Sequence, residues 1–552
     1  MSDLIQQIRD SLIGAQQSIQ TPFGHKPLVY ADYTASGRSL AFIEDVIREQ
    51  VLPFYANTHT ETTLTGARTT AWRESARQTI RAAVNGSAED KVIFSGSGAT
   101  AAINKLIDIL NLRALHKRPV VFIGPYEHHS NELPWRESIA EVVVIPLDTC
   151  GSLDMQALEH ALQQHQQRGL LIGSFSAASN VTGIKTNVSA VTALLKRYGA
   201  LACWDYAAAA PYIAIDMNGD SPLDAVFLSP HKFAGGPGTP GVLIAKAHLF
   251  VNQVPAVVGG GTVTYVTPQD HVYVRDIERR EEGGTPAIVE SIRAGLVFSL
   301  QQSVGTRTIE ALETRLAHIA MQRLSSCQNI EVLGSKEAER LPIFSLRFFH
   351  QLPSGQRQQL HYGFVVSLLN DLFGIQARGG CSCAGPYAHT LLGMDMVFSK
   401  QIEAAVSCGV GVLRPGWVRL NFNYFISDEE FNYLLEALEL VAEYGWRMLP
   451  WYRYDPIQGV WRHKEHRLQE HSIQHVDPIG SLDWHRQSQR GADQQHSQAL
   501  LPAPTLTQYL SAARDVLQNI AKPASTDELL LDSRYQALRW FMLPSEAFNI
   551  TD

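Results

Sequence analysis

KVIFSGSGATAAINKLIDIL, residues 91–110, decides the fold. KVIFS is an apolar run of the length of a buried strand. Gly96, Ser97 and Gly98 then interrupt it, and AAINKLIDIL follows with apolar residues at three- and four-residue spacing. That change of period across a glycine-rich turn marks one strand–helix unit. The unit recurs downstream. PVVFIG, EVVVIPL, GLLIGSF, ALACWDY, DAVFLS and GVLIAK read as further strands, and VSAVTALLKRYG as a helix between them. Near-continuous apolar runs alternating with amphipathic helices predict an α/β fold with a mostly parallel, seven-stranded sheet covered on both faces. In such sheets ligands sit at the carboxyl ends of the strands.

The 552 residues are too many for one ordinary core. Hydrophobic content of 45% and charged content of 18% describe a soluble globular chain. A net charge of −8 gives no reason to expect a nucleic-acid or membrane partner. MSDLIQQIRDSL lacks the basic start and apolar core of a secretory signal, and no apolar run approaches the roughly 20 residues that span a bilayer. Six cysteines in so long a chain make no disulfide framework, so a reducing cytoplasm is the expected setting.

Four regions are expected: an N-terminal helical arm over 1–30, a large α/β domain over 31–300, a smaller α+β domain over 301–446, and an irregular C-terminal extension over 447–552. The smaller domain carries IFSLRFF, a helix around 360–373, WVRLNFNYF and the helix EEFNYLLEALELVAEYGW. In the extension, 462–500 is rich in Gln, His and Arg and includes His463, His466, His471, His475, His485 and His496. No ligand spacing is suggested, so a solvated polar segment is expected rather than a metal site. SRYQALRWFMLP near the end is apolar enough to dock on the body.

Chemistry collects after the strands. FLSPHKFAGG, 227–236, places Lys232 where a strand ends and glycines begin. Burying an ammonium is costly, but a desolvated amine suits imine chemistry. Alone, a surface lysine would be the ordinary reading. WDYAAAAP places Asp205 at another strand end, where a carboxylate could hold a protonated pyridine nitrogen or merely cap a helix. Ala99 and Thr100 open a helix after a glycine turn, which suits a phosphate. His128 in YEHHSN could stack on an aromatic ring or simply bond within its loop, and Asn180 in SNVTG follows GLLIGSF. Each residue is ordinary by itself. A phosphate cup, an imidazole, an amide, an acid and a lysine at five strand ends are hard to explain as packing.

The chain resembles the fold-type-I pyridoxal-phosphate enzymes of the class V aminotransferase group. It is most similar to their cysteine desulfurase and selenocysteine lyase branch. The likeness runs from about Tyr30 to Trp446 and rests on YADYTASG, GSGAT, EHHSNELPW, SNVTG, WDYAA, SPHK, GGGT, EGGTP and the spacing of Arg378 from Cys383. It implies pyridoxal 5'-phosphate on the amine of Lys232, which would also move the Cα proton. Asp205 would face the ring nitrogen, His128 would stack on the ring, and Asn180 would lie near the ring oxygen. Ala99, Thr100, Ser229 and His231 would contact the phosphate. Thr285 would reach the phosphate of a second copy in a homodimer. Arg419 would clamp the α-carboxylate of an amino-acid substrate, with Arg378 at the base of the cysteine loop. Three positions depart from the pattern. Ala208 stands where a glutamine is usual, and Cys381 and Ser382 stand where two histidines often precede the cysteine.

RGGCSCAGPYAH, 378–389, lacks a second ligand pair for zinc, and a Cys381–Cys383 disulfide would close a strained ring. A packed turn and a mobile loop tip are left. The resemblance implies the latter, with Cys383 accepting sulfur and flanking glycines letting the loop swing. The function implied is cleavage of the C–S bond of L-cysteine or a related amino acid. It would leave a persulfide on Cys383, release alanine, and pass sulfur to an acceptor protein. An aminotransferase, an epimerase or another lyase on a different amino acid is the alternative, and a non-catalytic scaffold is more remote.

Overall fold

The computed structural model describes residues 2–58, 60–352, 354–465, 504–526, 529 and 531–550. Its largest sheet has seven strands, ordered in space Asp90–Ser95, Gly241–Lys246, Ala225–Leu228, Leu201–Asp205, Leu171–Ser176, Val120–Ile123 and Glu141–Val144. All neighbours are parallel except Gly241–Lys246, which runs antiparallel to both of its partners. Successive side chains leave a strand on opposite faces, so a sheet covered on both sides needs unbroken apolar runs. Along Asp90–Ser95, Val92 and Phe94 enter one core and Ile93 the other. Trp204 and Cys203 divide in the same way on Leu201–Asp205. Helix Gly98–Ile109 covers the second face with Ala102, Ile103 and Leu106.

The smaller part has a five-stranded antiparallel sheet. Ile330–Val332, Ile343–Gln351, Trp417–Asn421 and Arg378–Gly380 lie side by side, and Arg357–Leu360 also pairs with Ile343–Gln351. Helices Thr306–Ser326, Tyr362–Phe373 and Asp428–Tyr444 contribute to its core. The N-terminal segment joins the two parts. Val29–Tyr30 runs parallel to Ile375–Gln376, the Asn421 N–H donates to the Ala31 carbonyl, and the Gly37 N–H donates to the His231 carbonyl.

Two expected regions change character. The N-terminal arm is helical only over Ser2–Asp10; Ser18–Thr21 and Gly24–Pro27 then form a hairpin, with Gly24 turning at a φ of 84°. The described parts of the extension are ordered rather than irregular. Tyr452–Asp455 and Val460–His463 pair as a hairpin, and Leu506–Asn519 is a helix whose N-cap Thr505 and Gln508 form a reciprocal capping box. Leu510, Ala513, Leu517, Phe541 and Met542 are buried in the core of the smaller part, so these segments share that core. His463 lies in the hairpin and is buried. His466, His471, His475, His485 and His496 fall outside the described residues.

Candidate active site

The carboxyl ends of the parallel strands open into one cleft, closed from above by the cysteine loop of the smaller part. Lys232, Asp205, His128, Asn180, Ser229, His231, Ala99, Thr100, Arg378, Arg419 and Cys383 all line it. Thr285 does not. It is exposed, and its hydroxyl accepts a 3.4 Å hydrogen bond from the Asn57 amide.

At one end, strand Asp90–Ser95 passes through Gly98, with a φ of 57°, into its helix. A Cβ on Gly98 would stand 2.9 Å from Ser229 Oγ and 3.1 Å from His231 Cε1. Only glycine therefore lets these groups close around the helix start. Ser229 Oγ accepts the Ala99 N–H at 2.9 Å, while the hydroxyls of Thr100 and Ser130 are 2.6 Å apart. His128 Nδ1 accepts the Ser130 N–H at 3.1 Å, which leaves Nε2 to carry the proton of the neutral ring. Burial and then the Lys232 charge hold that ring neutral, with a pKa lowered to about 3. His231 is lowered to about 4 for the same reasons.

In the middle, burial lowers Lys232 to about 8, opposed by the negative charge of Asp205. A neutral, nucleophilic amine is thus accessible near neutral pH. Burial raises the pKa of Asp205, although its Oδ1 accepts the Ala207 N–H at 2.7 Å. Beneath His128, the fully buried Glu127 is pushed up to about 7 by burial. It accepts from the Gly124 and Ser176 N–H groups, the Ser176 hydroxyl and the Asn131 amide.

At the other end, Arg419 is buried on strand Trp417–Asn421. Its Nη2 donates to Asp32 Oδ1 and the Arg378 Nε to Asp32 Oδ2, both at 2.9 Å. Arg419 Nη1 donates to the Asn180 carbonyl at 3.1 Å. The guanidinium expected to clamp a substrate carboxylate therefore already holds an internal one. Asp32 and Ser130 both carry the site's geometry and both lie in quoted motifs, YADYTASG and EHHSN. Neither stood out, because an aspartate after a short apolar run and a serine at a helix start read equally well as caps.

The cysteine loop is tied down over the cleft. The Asn180 amide donates to the Ser382 carbonyl at 2.8 Å, the His129 N–H to the Cys383 carbonyl at 2.9 Å, and the Gly385 N–H to His129 Nε2 at 2.9 Å. Ser382 and Cys383 are both left-handed, with φ of 55° and 56°. That geometry exposes Cys383 at the mouth, while Cys381 is half-buried against the cluster around Tyr126, Tyr387 and Trp417.

A half-buried lysine at a strand end, near a buried acid and a phosphate-sized cup, defines the class of lysine-dependent pyridoxal-phosphate folds. The cleft fits that cofactor. Gly98 keeps the cup open, the carboxyl of Asp205 lies buried deep in the cleft, and Asn180 Oδ1 is buried with no partner. Among the described residues no group of His, Cys, Asp and Glu could hold a metal ion, and no helix is long and apolar enough to cross a membrane.

The chain belongs to the class-V aminotransferase family, whose sequence pattern matches residues 29–431. A probable cysteine desulfurase of Halalkalibacterium halodurans is 28% identical over 422 residues, covering 76% of this chain and 94% of that protein. One from Streptomyces coelicolor is 26% identical over 433 residues, covering 76% and 93%. Among solved structures, a cysteine desulfurase from Thermococcus onnurineus superposes with a TM-score of 0.63 at 23% identity, covering 75% of this chain and 95% of that one. The Escherichia coli cysteine desulfurase CsdA gives 0.63 at 21% identity, covering 80% and 98%. Both structures share the fold.

Proposed function

We propose that this chain is a pyridoxal-phosphate-dependent cysteine desulfurase. The observation that carries the reading is the exposed, left-handed Cys383 at the mouth of the same cleft that Lys232 and Asp205 line. Bound pyridoxal phosphate supplies an electron sink for charge developing at Cα. Lys232 would hold the cofactor and, once its amine is freed, take the Cα proton. Asp205 would keep the ring nitrogen protonated. The start of helix Gly98–Ile109, with Thr100, Ser229 and His231, would bind the phosphate, and neutral His128 would lie against the ring face.

Arg378 would take the substrate carboxylate with the part of its guanidinium that Asp32 leaves free, while Arg419 backs it from below. The thiolate of Cys383 would then attack the substrate sulfur. An S–S bond forms as the Cβ–S bond breaks. The bond pair stays with the three-carbon fragment, which takes up a proton and leaves as alanine. Cysteine and one enzyme thiol thus give alanine and one enzyme persulfide, with no external oxidant or reductant. A sulfur-acceptor protein would take the terminal sulfur from the exposed Cys383.

Two copies would pack through the apolar face at 251–273. Val251, Val254, Val258, Tyr265, Val266 and Val272 are exposed there, and the Gly284 N–H, beside Thr285, donates to the Gly260 carbonyl. A cytoplasmic setting agrees with six free cysteines.

The test is incubation with L-cysteine, reading alanine release and alkylation-sensitive persulfide by mass spectrometry. Wild type should yield both, with the label on Cys383. Cys383→Ser should form no persulfide, Cys381→Ser should lose less, and Lys232→Ala should lose the visible absorbance of the bound cofactor. Full turnover of cysteine by Cys383→Ser would replace this reading with an aminotransferase, an epimerase or another lyase.

A further inference from the structure

The C-terminal segment lies beyond the region that matches the family, 29–431, yet its aromatic residues reach the root of the cysteine loop. The junction is the His361–Tyr362 pair at the start of helix Tyr362–Phe373. His361 is buried and fully bonded. Its Nδ1 accepts the Gly363 N–H at 2.9 Å and the Trp461 indole N–H at 3.0 Å, and its Nε2 lies 3.1 Å from the Val412 carbonyl. Burial keeps the ring neutral, with a pKa lowered to about 3, so Nε2 carries the proton and donates to that carbonyl.

Trp540 covers this pair. Its ring stacks on His361 at 5.2 Å and 21°, and lies parallel to Tyr362 at 6.1 Å and 10°. Its indole N–H donates to the Leu413 carbonyl at 2.9 Å, and the neighbouring Met542 N–H donates to the Gln359 carbonyl at 2.8 Å. The far edge of Tyr362 rests on glycine backbone. A Cβ on Gly379 would stand 2.7 Å from Tyr362 Cδ2, and one on Gly416 would stand 2.9 Å from Tyr362 Cε1 and 2.8 Å from Gly380 Cα. Gly379 and Gly380 belong to strand Arg378–Gly380, which carries Arg378 into the cleft and delivers the chain directly to Cys381 and Cys383.

We propose that Trp540 is a positioning residue for the cysteine loop, acting by holding Tyr362 against the glycines of strand Arg378–Gly380. This rests on the reading of Cys383 as sulfur acceptor. A flat ring backed by a second flat ring presses evenly on bare backbone, which a flexible aliphatic side chain does not. Among the described residues the strand pairs in the sheet only with Trp417–Asn421; Asp32 holds Arg378 at its start, and the Tyr362 ring, with Val366, covers Gly379.

The test compares full-length holoenzyme with Trp540→Leu, which keeps an apolar side chain but removes the stack, and Trp540→Phe, which restores a ring while, like the leucine, lacking the indole N–H. Hydrogen exchange is followed over 376–384, and persulfide formation is measured at saturating L-cysteine. In Trp540→Leu, exchange over 378–383 should quicken and persulfide formation slow by about tenfold, the scale of one lost aromatic contact. Cofactor absorbance should be unchanged, and Trp540→Phe should recover most of both effects. Wild-type exchange over 378–383 in Trp540→Leu overturns the proposal, as does faster exchange spread evenly through the smaller part. Should wild type form no persulfide, the desulfurase reading fails, while the exchange comparison still decides whether Trp540 holds the strand.

Discussion

Asp32 holds two guanidiniums that a substrate carboxylate would also seek. Arg419 is buried, and losing a buried ionic partner costs about 3 kcal/mol because the remaining charge is left uncompensated. Asp32→Asn should therefore lower thermal stability by roughly that amount. It should also make the variant respond more strongly than wild type to L-alanine, whose carboxylate can refill the gap. Thermal melts with and without L-alanine check both points; equal melting temperatures for the two proteins would mean that the ion pairs carry no weight. The sequence made Lys232, Asp205 and His128 legible because each follows an apolar run, and strand ends of a parallel sheet converge by topology. It could not make this triad legible. The partners of Asp32 lie 346 and 387 residues away, and no local pattern encodes a pairing at that distance.

The cysteine loop shows the same limit at the level of an element. Its flanking glycines suggest freedom to swing, whereas hydrogen bonds from Asn180 and His129 fasten it over the cleft. Those tethers hold Ser382 left-handed, a backbone state costing a residue with a Cβ roughly 1–2 kcal/mol. Ser382 Oγ is also buried without a partner. Ser382→Gly should thus stabilise the protein by about 1 kcal/mol after the extra chain entropy of glycine is subtracted. Urea melts read this directly, and a destabilised variant would mean that the loop geometry is unstrained. Sheet strands and long helices were readable because periods of 2 and 3.6 survive over many residues. Helix Leu506–Asn519 was obscured: it follows a long polar stretch, and its apolar face is narrow, with Leu510, Ala513 and Leu517 buried. Its capping box, Thr505 with Gln508, was the available signal.

For the whole molecule, the same buried interior that makes the sheet possible governs association and response to acid. The exposed valines at 251–272 are too apolar to face water unshared, so the protein should run as a dimer by light scattering, and Val258→Glu with Tyr265→Glu should shift it toward monomer. Acid acts through groups inside the fold. Burial lowers His128 and His361 to about 3 and His231 to about 4, from an ordinary 6.5. It raises Glu127 and Glu430 to about 7, from an ordinary 4.5. The two sets have opposite signs. The unfolded chain protonates its histidines first, so their contribution to stability is lost as pH falls from 6.5 toward 3. The folded chain protonates these glutamates first, so theirs is lost as pH rises from 4.5 to 7. Between 4.5 and 6.5 the slopes oppose each other; below 4.5 only the histidine slope remains of the two. With three histidines against two glutamates, the cofactor-free protein should therefore show a shallow fall in melting temperature from pH 6.5 to 4.5 and a steeper fall below it. A melting temperature that held steady down to pH 3 would mean that these rings are protonated, and solvated, inside the fold.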